Sequence, residues 1–128
     1  MDTNVLVRYL TQDDPVQARR ATELIERRIS EQNPGYVSIV AMVETVWVLE
    51  RAYRLGDTNI AAAIERILQV AELIVENEQE VFIAMIALKA GHGSFADALI
   101  SALGARAGCE FTATFDRKAL RLQGFALP

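Results

Sequence analysis

The fold turns on one stretch, Asn33-Pro34-Gly35-Tyr36-Val37-Ser38-Ile39-Val40-Ala41-Met42-Val43-Glu44-Thr45-Val46-Trp47-Val48. Asn33-Pro34-Gly35 breaks the chain, and Tyr36-Val37-Ser38 reads as a short strand. The strand runs straight into a helix capped near Ser38 that continues to about Tyr53 and is apolar on most sides. Upstream, Asp14-Pro15 combines a capping side chain with a proline suited to the first helical position. The segment from Pro15 to about Gln32 then places Ala21, Leu24, Ile25 and Ile29 on one face of an amphipathic helix.

Downstream the same alternation continues. Gly56-Asp57-Thr58 opens a helix through Val70, Leu73-Ile74-Val75 reads as a strand, and Gln79 to Ala90 as a further helix. Gly91-His92-Gly93-Ser94 is a loop before a helix from about Phe95 to Ala107. Phe111-Thr112-Ala113-Thr114-Phe115 is a β-branched and aromatic strand ending at Asp116. Helices alternating with short strands predict an α/β fold with a mainly parallel sheet. The 128 residues fit one domain, 1–128, with no internal repeat or linker.

Composition narrows the function. With 52% hydrophobic residues, 7 Gly and 3 Pro, disordered and low-complexity classes are excluded. One Cys and one His cannot supply a structural zinc site, and a lone Cys cannot form an internal disulfide, so the cytosol is the expected compartment. No apolar run approaches the ~20 residues of a membrane span, and Met1 to Leu10 lacks the features of a signal peptide. A net charge of −4 argues against a generally basic nucleic-acid-coating surface.

Four acids stand in apolar surroundings. Glu44 has Val40, Ala41, Trp47 and Val48 as its helical neighbours, and Asp97 is flanked by Phe95, Ala96, Ala98, Leu99 and Ile100. Neither position reads as a solvated face. Asp116 closes a strand, and Asp2 opens the chain just before the apolar helical segment Val5 to Leu10. Ligands of open α/β sheets bind at the carboxyl ends of the strands. Buried carboxylates need pairing, protonation or a cation, and no Lys or Arg of buried character stands beside these four in sequence. Any one alone is explained equally well by helix capping or by a distant Arg. For the set, convergence on a hard cation is the better explanation, and carboxylates without His or Cys suit Mg²⁺ or Mn²⁺.

Other residues carry less. His92 between two glycines reads as an exposed loop residue, Cys109 as a small buried filler, and Trp47 as core. Gly91, Gly93 and Ser94 do not match a phosphate-binding loop, which needs a Lys-Ser/Thr ending.

Asp2-Thr3-Asn4-Val5-Leu6-Val7-Arg8-Tyr9-Leu10, the lone Glu44, Phe95-Ala96-Asp97-Ala98-Leu99-Ile100 and Thr114-Phe115-Asp116-Arg117 together resemble the PIN domain, specifically the VapC-like toxins of bacterial toxin–antitoxin pairs. The resemblance covers nearly the whole chain and implies a three-layer α/β/α domain. It implies Asp2, Glu44, Asp97 and Asp116 as the catalytic, metal-binding acids around Mg²⁺ or Mn²⁺, with Asn4 and Thr114 as accessory polar positions. It further implies an RNA substrate, a homodimer and a cognate antitoxin whose C-terminal segment lies across the toxin. Only Met1 precedes Asp2, whereas the family has a short hydrophobic strand there, so the first strand is expected to be shortened or missing.

Setting aside the four acids leaves 13 acidic against 13 basic residues, so RNA need not meet a uniformly acidic surface. Arg8, Arg117 and Lys118, close in sequence to the site segments, are candidates for phosphate contacts, with solvated ion pairing an equal alternative. The first reading is therefore a cytoplasmic, metal-dependent endoribonuclease toxin under antitoxin control. An aspartyl-phosphate phosphatase would prefer a second Asp where Asn4 stands. From another class, a weak or inactive PIN-like module acting by binding a protein partner is the alternative.

Overall fold

A computed structural model describes residues 1–128 as two compact units, Met1–Glu78 and Gln79–Pro128. The first unit contains α1 (Thr3–Thr11), α2 (Pro15–Glu23) running into a π-helical turn (Leu24–Arg28), β1 (Gly35–Val37), α3 (Ile39–Arg51), α4 (Asp57–Leu68) and β2 (Leu73–Val75). β1 and β2 pair in parallel, Tyr36 opposite Ile74. The second unit contains α5 (Glu78–Lys89), α6 (Phe95–Arg106), β3 (Thr112–Ala113), a 3₁₀ turn (Ala119–Arg121) and β4 (Phe125–Ala126). β3 and β4 also pair in parallel, Thr112 opposite Phe125. Helices joined by short parallel strands are the α/β class that the alternation predicts. No helix is long and apolar enough to cross a membrane.

Caps written into the sequence set the helix starts. The Asp14 carboxylate accepts from the amides of Val16 and Gln17 at 3.1 and 3.0 Å, ahead of Pro15. Ser38 Oγ accepts from Ala41 N at 3.1 Å, and Ser94 Oγ from Asp97 N at 3.1 Å. The second helix ends four residues short of Gln32 because its last turn widens, with Ile29 N donating to Leu24 O at 3.0 Å. The strand expected over Phe111–Phe115 is only Thr112–Ala113.

In the first unit Leu6, Val37, Met42, Leu49, Ile60 and Ile64 are fully buried. Tyr9, Ala21 and Ile25 form a cluster against which Met1, Val5, Leu10 and Val70 pack, joining α1 to α2. A Cβ at Gly35 would stand 2.7 Å from Leu73 Cδ2 and 3.3 Å from Met1 Cε, so a larger residue there would have to push those side-chain ends aside. In the second unit Val81, Ala84, Leu88, Phe95 and Leu99 are buried on α5 and α6. Gly93 holds φ +87°, and a Cβ there would meet Leu122 Cδ1 at 2.6 Å.

Candidate functional site

Asp2 and Glu44 belong to the first unit, Asp97 and Asp116 to the second. Asp2 caps α1, its Oδ1 accepting from Thr3 N at 2.7 Å. The ammonium of Met1 donates to Tyr36 O at 2.6 Å. That bond fastens the residue before Asp2 to β1, the strand that leads through Ser38 into α3, where Glu44 lies. The first acid is thus held by a helix cap and, through its neighbour, a strand contact.

Glu44 is exposed, contrary to its apolar sequence surroundings. The reason is helical phase. Val40 and Trp47, four before and three after it, are themselves 73% and 55% exposed, while Ala41, Met42, Thr45, Val46 and Leu49 take the buried side of α3. Trp47 is therefore not core, and Arg51 lies 5.6 Å from its ring centroid. Asp97 is half-buried in the first turn of α6, beyond the Ser94 cap.

Asp116 is exposed on a turn after β3, not at the end of a buried strand; its neighbour Phe115 is 83% exposed. Thr114 Oγ1 accepts from Asp116 N at 3.0 Å, and Asp116 Oδ1 accepts from Lys118 N at 2.9 Å. The hydroxyl and the amide together fix the direction of the carboxylate. Arg117 and Lys118 are exposed beside it.

None of the four acids is in an ion pair; the chain's two are Arg8 with Asp13 and Arg106 with Glu80. The carboxylates of Glu44 and Asp97 accept no hydrogen bond, and Asp2 and Asp116 each use one oxygen on a backbone amide. Oxygen donors left without a cationic side chain are the donor type that hard divalent ions take. Within neither unit do three His, Cys, Asp or Glu side chains gather closely enough to hold a metal ion.

Arg8 is engaged rather than free. It donates through Nε to Gln17 Oε1 at 2.7 Å, and through Nη1 to Asp13 Oδ1 at 3.1 Å and Tyr53 Oη at 3.0 Å. The Tyr53 hydroxyl in turn donates to Asp13. Bonds from Tyr53 and Thr11 hold the Asp13 carboxyl below its usual range, against desolvation, with the Arg8 charge a lesser help. Nothing local to Asp13 signals this pairing, because its partner Tyr53 lies 40 residues away.

Glu76 was also missed. Its carboxylate accepts from Tyr36 Oη at 2.8 Å and from Ile39 N at 3.2 Å, bracing the start of α3. The bond to Glu76 pushes the Tyr36 phenol up from its ordinary value. His92 is exposed in its loop, and Cys109 is exposed rather than a buried filler.

The family model described as PIN domain matches residues 1–124, across the boundary between the two units. No curated protein and no solved structure matches the chain. PIN domains are generally metal-dependent nucleases, so the match places the chain among proteins of nuclease type.

Proposed function

This chain belongs to the PIN domain family, and from that premise we propose that it is a Mg²⁺- or Mn²⁺-dependent endoribonuclease acting as a cytoplasmic toxin under the control of a cognate antitoxin. One observation carries the reading. The match to the PIN family spans residues 1–124, and the four acids at the positions the resemblance marks, Asp2, Glu44, Asp97 and Asp116, stand in neither of the chain's two ion pairs.

In this reading the four carboxylates hold the ion. When bound, it supplies Lewis acidity toward a phosphodiester and an attacking water. The rest is done by the chain. The α1 cap holds Asp2, α3 presents Glu44 on its exposed face, and the first turn of α6 carries Asp97. Thr114 fixes the turn on which Asp116 stands. A carboxylate of the set would accept the proton of the water as its oxygen bonds to phosphorus, and the phosphorus–oxygen bond to the leaving ribose breaks with that ribose oxygen taking a proton from solvent. Arg117 and Lys118, exposed beside Asp116, supply phosphate contacts.

The test is cleavage of single-stranded RNA with Mn²⁺ or Mg²⁺ and with EDTA, by the wild type and by Asp97→Asn. Cleavage that needs the ion and vanishes in a folded Asp97→Asn supports the proposal. Unchanged cleavage by the variant would sink the acid set. An ordered protein that cleaves nothing under any ion would favour the partner-binding module. Growth arrest on expression, its relief by an antitoxin, and a homodimer mass in solution test the regulatory and assembly parts.

A further inference from the structure

Within the first unit, α1 and the α2 segment flank a pocket of about 320 Å³ that the four acids do not line. Val5, Ala21 and Leu24 give it an apolar wall, and Asn4, Gln17, Arg20 and Arg28 bring polar groups to it. No acidic residue lines it. Arg20 and Arg28 take part in no ion pair, so both guanidiniums are available to a ligand.

The π-turn is what brings them to one place. Along a regular α-helix eight residues carry a side chain roughly 80° past its starting direction. The wider turn at Leu24–Arg28 takes back part of that rotation, so Arg20, Leu24 and Arg28 all line the same pocket. Arg8 also reaches the pocket, but its charge is matched by Asp13. Its bond to Gln17 Oε1 uses the acceptor of that amide and leaves the amide nitrogen as a donor.

We propose that this pocket is a nucleotide subsite that binds one unpaired residue of the RNA substrate. The naming of RNA rests on the nuclease reading above. Arg20 and Arg28 take the phosphate, since a planar guanidinium matches its oxygens two at a time. The base lies against Val5 and Leu24, and the amides of Asn4 and Gln17 meet its edge. A pocket of this size suits a small ligand rather than a peptide helix. Asn4 is two residues from Asp2 in the first turn of α1, so the subsite adjoins one of the proposed metal ligands in the chain.

Titration calorimetry of the full chain in EDTA tests the subsite apart from the metal. The probes are the four ribonucleoside 5′-monophosphates, inorganic phosphate and a hexaglutamate peptide. We expect at least one monophosphate to bind tenfold or more tighter than inorganic phosphate. Arg20→Gln with Arg28→Gln should weaken it tenfold or more with an unchanged circular dichroism spectrum. Leu24→Trp, which fills the pocket, should do the same, and Asn4→Ala should change the order of preference among the bases. Equal binding of bare phosphate, affinity unchanged in the double variant, or displacement by hexaglutamate would each overturn the proposal, the last in favour of an acidic protein partner. The two readings fail separately. Nucleotide binding without any cleavage keeps the subsite and removes the nuclease. Metal-dependent cleavage with KM unmoved by the double variant keeps the nuclease and removes the subsite.

Discussion

Glu44 and Glu80 exchange the roles their neighbourhoods suggest. Glu44 sits within Ile39-Val40-Ala41-Met42-Val43-Glu44-Thr45-Val46-Trp47 and is exposed, whereas Glu80, in the polar run Glu76-Asn77-Glu78-Gln79-Glu80, is 5% exposed. The buried acid has a partner: Arg106 Nη1 donates to Glu80 Oε1 at 2.8 Å, across from α6 to α5. The exposed one has none. Polarity along the chain therefore does not tell which acid is structural, because helical phase and a partner 26 residues away decide it. Glu80 belongs to folding, and Glu44 is free for the metal role proposed above.

The sharpest way to break this contrast is Glu44→Gln. It should lower metal-dependent RNA cleavage by about 100-fold or more, since loss of groups that merely orient ligands already costs about 10- to 100-fold. Its denaturant midpoint should match the wild type. A variant that cleaves normally but melts early would reverse the roles of the two glutamates.

Arg106→Ala should do the opposite. It strands the buried Glu80 carboxylate, whose Oε2 already has no hydrogen-bond partner, at a cost of about 1–3 kcal/mol in urea unfolding. Glu80→Met removes the buried charge along with the pair and should cost less than Arg106→Ala. If Arg106→Ala is as stable as wild type, the ion pair is ornamental and Glu80 has another use.

Thr114→Ala is an intermediate case, because it touches an acid only through the backbone. Loss of the bond to Asp116 N should reduce cleavage about tenfold with little change in stability. Excess Mn²⁺ should recover part of that loss if the hydroxyl only positions the carboxylate.

The smallest effect concerns Asp13, a paired acid that is nonetheless exposed. Its folded-state pKa lies below the ordinary value. The stability it contributes is fully present above that ordinary value and is lost as pH falls through the folded one. Asp13→Asn should therefore show a shallower loss of Tm on acidification below about pH 4 than the wild type. Identical acid limbs in the two proteins would remove Asp13 from the set of structural acids.

Much of the architecture was legible because it rests on local rules. Asp14-Pro15 and Ser38 act as the caps their residue types suggest, Leu73-Ile74-Val75 is the strand its composition suggests, and the strand expected over Tyr36-Val37-Ser38 forms one residue earlier, over Gly35–Val37. The four acids were legible as a set of residue types in the order of a known family, and the family match bears out that family. Their exposure was not legible. The apolar side chains around Glu44 include several that face outward, and a residue's side of a helix depends on what the helix packs against.

What the sequence by itself determined is the alternation of helices and strands, their caps, and the carboxylate chemistry of the acids, all of which follow from residue type and short-range spacing. Only the tertiary structure decided which charges are already paired. Arg8 meets Asp13 and Tyr53, Glu80 meets Arg106, and Glu76 reaches back to Tyr36 and Ile39. The π-turn that brings Arg28 to the same pocket as Arg20 likewise emerged only there. The physical reason is range. Caps and periodicity act within a few residues, whereas an ion pair forms wherever packing brings two distant segments within hydrogen-bond reach.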